Sequence, residues 1–583
     1  LRVDVAIAGG GPAGATLGCL LRKYDPSIRV AIIERERFPR DHVGESQLPA
    51  VCEILDEMGA WDAVEAADFP IKIGATYRWG LTDDLWDFNF LLGAPFIDAP
   101  RPGKFEGQRR ATAFQVDRSI YDKILLDHAR ELGCTVLEEV DVASVSHEGD
   151  RITGFTLKPG RCQPSPSDVD FDPEITADFY CDCTGGSLFR RTLGFGIDSP
   201  TSLRNVAAWD YWQNAEWAVN IGVGGTRIQI LSLGWGWVWF IPVGKTRTSI
   251  GLVTPAEFLK QSGKKLEDLY AEAIAAEPLV AKLTKNATRE DRLTTTRDWS
   301  YFSERFSGEN WFLAGDSAGF ADPILSAGLT LAQSGARRAA FTILELRRGE
   351  MNPEWLRREY DSTYKFQIGH HIRFADYWYS ANAVFTDLRE NCSKIAADAG
   401  LNLDAEQAFR WLSTGGFARD VTPGVARAAN WNLGIVKHTI DRFSDASVEW
   451  QIAKYNTFRL NLAGAEQEYV SFYNGGRITP IRCYVKGTVQ LPLQGLFELM
   501  VEVLGRYSDL REIADVVWDV CQKNVFGDNP QASFASAIEV LEAMVTDGWV
   551  TATRNPSRPL LKVRYQEEGY MLEFIDPPSG PPV

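Results

Sequence analysis

The chain has 583 residues, a length at which one hydrophobic core gives way to several, so two or three domains are expected. Its formal charge of −17 excludes the basic surface that polyanionic partners require, and no nucleic-acid binding is expected. Nine cysteines, odd in number and without a C-x-x-C pair, read as reduced thiols of a cytoplasmic protein, with Cys181 and Cys183 as core residues and no metal site.

Asp4-Val5-Ala6-Ile7-Ala8 is a short apolar run, followed by Gly9-Gly10-Gly11-Pro12-Ala13-Gly14 and the helical stretch Ala15 to Arg22. Strand, glycine turn and helix with glycines at 9, 11 and 14 fit the G-x-G-x-x-G spacing. In that spacing the glycines allow a tight turn, approach of a pyrophosphate, and close packing of helix on strand. The anion would lie at the helix N-terminus, where free N–H groups and the dipole favour it, with Pro12 and Ala13 in the first turn. Val30-Ala31-Ile32-Ile33 reads as a second buried strand, and Glu34 at its end stands where a carboxylate accepts the ribose hydroxyls of an adenosine. No signal peptide precedes Val5, and the start reads as trimmed because Leu1 is not methionine. No apolar run approaches the roughly 18 to 20 residues of a membrane span, and none is expected.

A polar loop follows, Phe38-Pro39-Arg40 to Gly44-Glu45-Ser46-Gln47-Leu48-Pro49, and then a helix with Val51, Ile54, Leu55 and Met58 on one side. Together with the glycine turn and Glu34, this F-P-R…G-E-S-x-L-P pattern resembles the FAD-binding start of flavin-dependent halogenases, within the p-hydroxybenzoate-hydroxylase-like flavoproteins. The resemblance implies an α/β fold: a Rossmann-like FAD-binding βαβ domain with an antiparallel substrate-side sheet. It also implies that Arg40 and Ser46 meet the polar parts of FAD.

Phe69 to Gly80 alternates apolar residues at Ile71, Ile73, Ala75 and Tyr77, which reads as a strand and sends Lys72 to the opposite face. By residue type alone Lys72 is a solvated surface lysine. In the halogenases a lysine at this place faces the end of a tunnel from the flavin, which makes Lys72 the candidate catalytic residue. A long stem and a shiftable pKa suit either polarising hypohalous acid or becoming a haloamine. Gln115-Val116-Asp117-Arg118 opens a helix, and related flavoproteins place an arginine like Arg118 against the cofactor. Cys134 to Leu137 and the run around Val142 to Val145 read as short strands. Asp182 to Gly185 resembles the D-x-T-G segment that closes the nucleotide-binding half.

The middle of the chain is rich in tryptophan and β-branched residues, which suits an antiparallel sheet. Trp237-Val238-Trp239-Phe240-Ile241-Pro242 matches the W-x-W-x-I-P pattern of flavin halogenases. There Trp237, Trp239, Ile241 and Pro242 would wall the flavin so that a small halide reacts in place of an organic substrate. Prenyl reductases of the same superfamily carry a similar strand. Gly315-Asp316 resembles the G-D pair that binds the ribityl chain of FAD. Asp322-Pro323-Ile324-Leu325-Ser326-Ala327-Gly328 then leads into a helix from Leu329 to about Leu346. Backbone donors at Ser326, Ala327 and Gly328 could hold chloride or bromide, Gly328 beside the cofactor, and Ser326 could relay the electrophile. Tryptophan halogenases carry glutamate where this chain has Leu325, which points to an electron-rich phenol or another activated substrate.

Trp355 to Leu388 reads as a long aromatic-rich helical stretch, including Phe374, Tyr377, Trp378, Tyr379 and Phe385. Helices over Leu493–Leu504, Leu510–Cys521 and Ala532–Val545 and a hairpin from Gly548 suggest a winged-helix-like module. It resembles the C-terminal domain of the chloramphenicol-pathway halogenase and its relatives. Glu539, Glu542 and Asp547 stand where a DNA-reading helix would want Lys or Arg, so a lid or docking role is expected. The expected divisions are a core over 1–350, a helical connector over 351–485, the winged-helix-like module over 486–575 and a disordered tail over 576–583. Within the core, nucleotide-binding parts are expected at about 1–190 and 300–350, and the sheet domain at about 65–115 and 195–300. The expected function is FADH2-dependent halogenation with O2 and chloride or bromide. Its substrate would be free or carrier-tethered, and a separate NAD(P)H-dependent flavin reductase would supply the cofactor. A flavin monooxygenase or prenyl-type reductase is the alternative.

Overall fold

Four short strands whose residues are buried throughout, Trp311–Leu313, Phe179–Asp182 (Phe179 partly exposed), Val5–Ala8 and Val30–Ile33, lie parallel in that order, with Thr135–Leu137 at the far edge. Near-continuous apolar runs are what a parallel sheet covered on both faces requires. The computed structural model describes residues 1–80, 83–91, 96–97, 100–160, 172–201, 203–297, 299–380, 382, 450–486, 489–526, 529–566 and 569–576. They fall into two units, one with described residues from 1 to 382 together with 473–478, the other with 450–472 and 479–576. The expected α/β architecture with a Rossmann-like half is the one observed.

Because the strands are parallel, their C-terminal ends share one edge. Gly9 follows Ala8 there, Glu34 follows Ile33, Cys183 to Gly186 follow Asp182, and Ala314-Gly315 follow Leu313. Such an edge is where open α/β sheets bind ligands. The first helix, Pro12–Tyr24, begins with Pro at its first turn and ends with Arg22 and Lys23, in keeping with its dipole.

A second sheet of nine strands is antiparallel except for one pair. Its main path runs Thr288–Arg289, Asn205–Gln213, Arg247–Pro255, Gly236–Pro242, Gly225–Leu233, Ile71–Arg78, Trp86–Asn89. One face carries Leu231, Val238, Phe240, Ile250 and Leu252 against Leu269, Tyr270, Ala273 and Val280 of the helices Leu266–Ala276 and Pro278–Leu283. The period of two then turns Trp237 and Trp239 to the other face.

Helix Gly328–Arg348 packs against Pro12–Tyr24 and against helix Pro353–Ser380. The latter contact is close, since a Cβ on Gly335 would lie 2.1 Å from the Tyr364 ring. Asp182 ties the unit together at the shared edge. Its carboxylate accepts from Thr184 N, Thr184 Oγ1 and Ser317 Oγ on one oxygen and from Phe189 N on the other.

In the second unit the helices Gly495–Leu504, Leu510–Cys521 and Pro530–Thr546 are present, two of them capped by Asp509 and Asn529. The strand at Val550–Thr553 does not open a hairpin with its successor; it pairs with Thr457–Leu460, and the hairpin is Leu560–Gln566 with Gly569–Ile575. Thr457–Leu460, Glu466–Asn474 and Arg477–Lys486 are strands, correcting the helical connector expected over 351–485, and the last two are joined by a Gly475-Gly476 turn with positive φ at both glycines. Glu542 is buried, accepting from Gln451 N and Ile452 N at 2.8 Å each, so it closes a helix-like turn and presents no charge outward. Phe385, residues 383–449 and the tail from 577 lie outside the described residues, as do the side chains of Phe374 and Tyr377. Among the described residues no helix is long and apolar enough to cross a membrane, and no cluster suited to a metal is found. Cys181 and Cys183 are buried free thiols.

Gly335→Ala is expected to lower stability by about 1–3 kcal/mol, because the overpacking cost exceeds the gain of about 1 kcal/mol from helix propensity. A chemical denaturation series on the purified protein checks this.

Candidate active site

The glycine turn is built around backbone contacts that exclude side chains. Gly9 has φ +102° and a Cβ there would lie 2.3 Å from the Cys183 carbonyl oxygen, while one on Gly14 would lie 1.9 Å from the Gly9 carbonyl oxygen. Glu34 sits against this turn, its Oε2 accepting from Gly10 N at 2.7 Å and its Oε1 from Glu36 N at 3.0 Å, and burial raises its pKa. Over Gly11 there is room as far as the Arg40 guanidinium, 3.5 Å from where a Cβ would be. Arg40 stacks on Phe38 and pairs with Glu36 and Asp122, yet its buried Nη1 has no hydrogen-bond acceptor. A helix N-terminus, a side-chain-free turn and an unfilled guanidinium donor together suit an anionic diphosphate. Ala13 approaches the next turn, 3.0 Å from where a Gly315 Cβ would lie. Asp316 beside it has its pKa pushed up to about 6 by burial.

The Arg118 guanidinium is held by buried acceptors. Its Nε and Nη2 donate to Asp122 at 2.7 and 2.9 Å, and its Nη1 donates to the carbonyls of Val43 and Gly44. It pins the G-E-S loop, and its charge also acts on Asp316 at the cofactor edge. Ser46 lies opposite Gln115, and its buried Oγ has no partner. Glu45 is buried and accepts from Tyr211 Oη at 3.0 Å, a contact that spacing along the chain gives no sign of.

Lys72 is 2 % exposed and its Nζ donates to the Gln47 carbonyl at 3.0 Å, 5.4 Å from the Phe90 ring centroid. Burial pushes the amine down to about 7. Its orientation differs from simple alternation. In the pairing with Gly225–Leu233, Lys72 stands opposite Thr226 but Gly74 opposite Arg227, a bulge that absorbs Ile73. Thr226 shares its face with Ile230 and Ser232, which stand opposite Trp239 and Trp237. The bulge therefore brings Lys72 to the tryptophan face, together with Ala75 and Tyr77, where alternation alone sends it to the helix-covered face. Glycine is required at 74, since a Cβ would lie 1.9 Å from the Phe88 carbonyl oxygen.

Trp237 Nε1 donates to Tyr379 Oη at 2.9 Å, and Trp239 Nε1 donates to Ser249 Oγ at 3.1 Å. The Trp239 ring lies flat on the sheet over Gly251, whose Cβ would fall 2.1 Å from it. Ile241 and Pro242 end the same buried strand. At the other helix start, Ser326 adopts φ +57° and its N–H donates to the Pro323 carbonyl at 3.0 Å. The amide of Ser326 is thus closed into a turn, correcting its expected role as a halide donor. Ala327 and Gly328, which open helix Gly328–Arg348 without a side-chain cap, keep theirs directed from a helix N-terminus. Gly328 is held small by the Phe320 ring, 2.7 Å from where its Cβ would be. Apart from this site, a cavity of about 810 Å³ opens at the Pro70 end of the Lys72 strand; the Arg101, Lys245, Glu65 and Asp68 charges that line it pair with one another.

The family described as FAD binding domain matches residues 2–365. A tryptophan 2-halogenase of Chondromyces crocatus is 32% identical over 64% of this chain and 66% of its own length. A 1H-pyrrole-2-carbonyl-[peptidyl-carrier protein] chlorinase of Pseudomonas fluorescens is 31% identical over 66% of this chain and 85% of its own. Among solved structures, the myxobacterial chondrochloren halogenase CndH aligns with TM-score 0.58 and 28% identity over 73% of this chain and 97% of that one. The flavin-dependent halogenase CmlS aligns with TM-score 0.68 and 24% identity over 95% and 96%, a likeness of fold that extends through the C-terminal unit.

Hydroxyl donors from a ribityl chain favour the ionised form of Asp316, so FAD affinity is expected to fall as pH drops below about 6. Flavin fluorescence titrations between pH 5 and 7.5 check this, with Asp316→Asn expected to bind more weakly and without that pH dependence.

Proposed function

The chain belongs to the flavin-dependent halogenases built on the FAD binding domain, and we propose that it halogenates an electron-rich carbon with Lys72 as the residue that presents the halogen. The observation that carries this is the buried amine of Lys72, brought by the strand bulge to the face of Trp237 and Trp239. The glycine turn 9–14 with Pro12 and Ala13, Glu34, Arg40, Ser46, Gly315 and Asp316 would hold FAD. Their fit rests on the empty space over Gly11 and on the buried Arg40 Nη1 and Ser46 Oγ, which make no hydrogen bond. Reduced FAD, when bound, supplies the electrons with which dioxygen oxidises chloride or bromide to hypohalous acid.

The chain's own residues then divide the work. Ala327 and Gly328 direct their amides from a helix N-terminus, which suits a halide ion, and Ser326 offers its hydroxyl beside them for passing the electrophile on. Trp237, Trp239, Ile241 and Pro242 keep bulky substrates off that region. Lys72, neutral above about pH 7, attacks the halogen of hypohalous acid; an N–halogen bond forms, the halogen–oxygen bond breaks, and the amine proton leaves with hydroxide as water. Substrate attack on that halogen regenerates the amine.

The substrate reading is an electron-rich phenol, free or tethered to a carrier protein. Leu325 stands where an indole-directed glutamate would, and one relative is named for a carrier-bound pyrrole. A separate NAD(P)H-dependent flavin reductase is proposed as partner, because the sequence carries a single dinucleotide fingerprint.

With a flavin reductase, bromide and a phenol panel, the parent is expected to give brominated product. Lys72→Ala is expected to lose it at least about 100-fold, the scale of a missing nucleophile, while flavin oxidation continues. Oxygenated product without halogen would overturn the reading. The product rate should rise with pH through about 7, as the amine loses its proton, and this limb should vanish in Lys72→Ala; a fall with the same midpoint would assign the work to the ammonium.

A further inference from the structure

Asp322 opens the Pro323–Gly328 turn, and its carboxyl is 2 % exposed. Three donors converge on it: Trp299 Nε1 at 3.0 Å on Oδ2, with Tyr379 Oη at 3.2 Å and Ile324 N at 2.9 Å on Oδ1. Tyr379 in turn accepts from Trp237 Nε1 at 2.9 Å. The polarity of this chain is fixed. A carboxylate only accepts, so the Tyr379 hydroxyl gives its proton to Asp322 and turns a lone pair toward the indole N–H of Trp237.

We propose that Asp322 is a positioning residue for halogenation, joining the aromatic wall at Trp237, through Tyr379, to the turn that carries Ser326, Ala327 and Gly328. The proposal rests on the halogenase reading above. Three segments meet at the one carboxyl, the end of helix Pro353–Ser380, the Trp299 segment and the turn itself, and the wall strand Gly236–Pro242 joins them through Tyr379. Burial raises Asp322 to about 6 despite its three donors, so the carboxyl is retained at a cost that packing alone would not require. A hydrophobic residue of similar size would fill the space, yet it would remove the acceptor that the Trp299 N–H, the Tyr379 hydroxyl and the Ile324 N–H share. Misplacement by about 1 Å of a group that holds a reactant costs on the order of 100-fold in rate, so a tie between wall and turn has kinetic weight.

The test uses the full-length, FAD-loaded protein with its reductase, bromide and the phenol that the parent brominates best. Tyr379→Phe keeps the ring and removes the hydroxyl that links Trp237 to Asp322. It is expected to raise the bromide KM tenfold or more with less than a threefold change in kcat, to leave FAD affinity unchanged, and to divert oxygen consumed into hydrogen peroxide. Asp322→Asn introduces a donor facing donors and should behave alike, and the double variant should be no worse than the poorer single one. Tyr379→Phe with the parent's bromide KM and product-to-oxygen ratio overturns the proposal, as do additive effects in the double variant. If Asp322→Asn does not fold, Tyr379→Phe alone decides. A parent that yields no halogenated product overturns the halogenase reading and this proposal with it, whereas a halogenating parent matched by Tyr379→Phe removes only this proposal.

Discussion

Placing the Lys72 amine in a buried pocket, with a carbonyl and an aromatic ring for company, penalises its charged form, and the rest of the site is arranged around that constraint. Its pKa falls from 10.5 to about 7, so at neutral pH the folded chain gives up on the order of 4 kcal/mol of stability relative to an exposed lysine. The sign follows from proton binding. Between about pH 7 and 10.5 the unfolded chain holds the extra proton, so stability rises with pH across that window and the penalty is greatest below it. Such a cost is what functional sites tolerate to keep a nucleophilic amine.

Two buried carboxylates tie distant elements together in the same way. Asp182 accepts four hydrogen bonds where the parallel strands end, coupling the turn after its own strand to the turn that holds Asp316. Asp322 does the same between the aromatic wall and the second helix start. Each joins elements more than fifty residues apart in sequence through a hydroxyl donor, Ser317 to Asp182 and Tyr379 to Asp322, that needs an acceptor once buried. The cofactor edge and the halogenating face are thereby held by separate keystones on one framework.

The cofactor edge was legible in the sequence because its determinants are local. The glycines at 9, 11 and 14, Glu34 one strand later and Gly315-Asp316 after another strand are set by spacing along the chain. The tryptophan wall was legible for the same reason, from a single strand. Lys72 was found by family pattern, but alternation put it on the wrong face, because the bulge exists only in the pairing with a strand some 150 residues downstream. The bonds of Arg118 to the Val43 and Gly44 carbonyls were not legible, because they lie in a loop whose path spacing does not reveal. The Ser326 amide was misassigned for a similar reason: its turn closes on the Pro323 carbonyl. Asp322 and Glu45 stood inside quoted motifs, but their contacts carried no signal, since their partners Tyr379 and Tyr211 meet them only in the folded chain.

The most direct test of this account is the ionisation of Lys72 itself. With lysine 13C-labelled at Cε and Lys72→Met to assign the resonance, a pH titration of the folded protein by NMR should show the Lys72 amine changing charge near pH 7. A midpoint near 10.5, the value of an exposed lysine, would contradict the claim that the fold buries this amine and holds it neutral for halogen transfer.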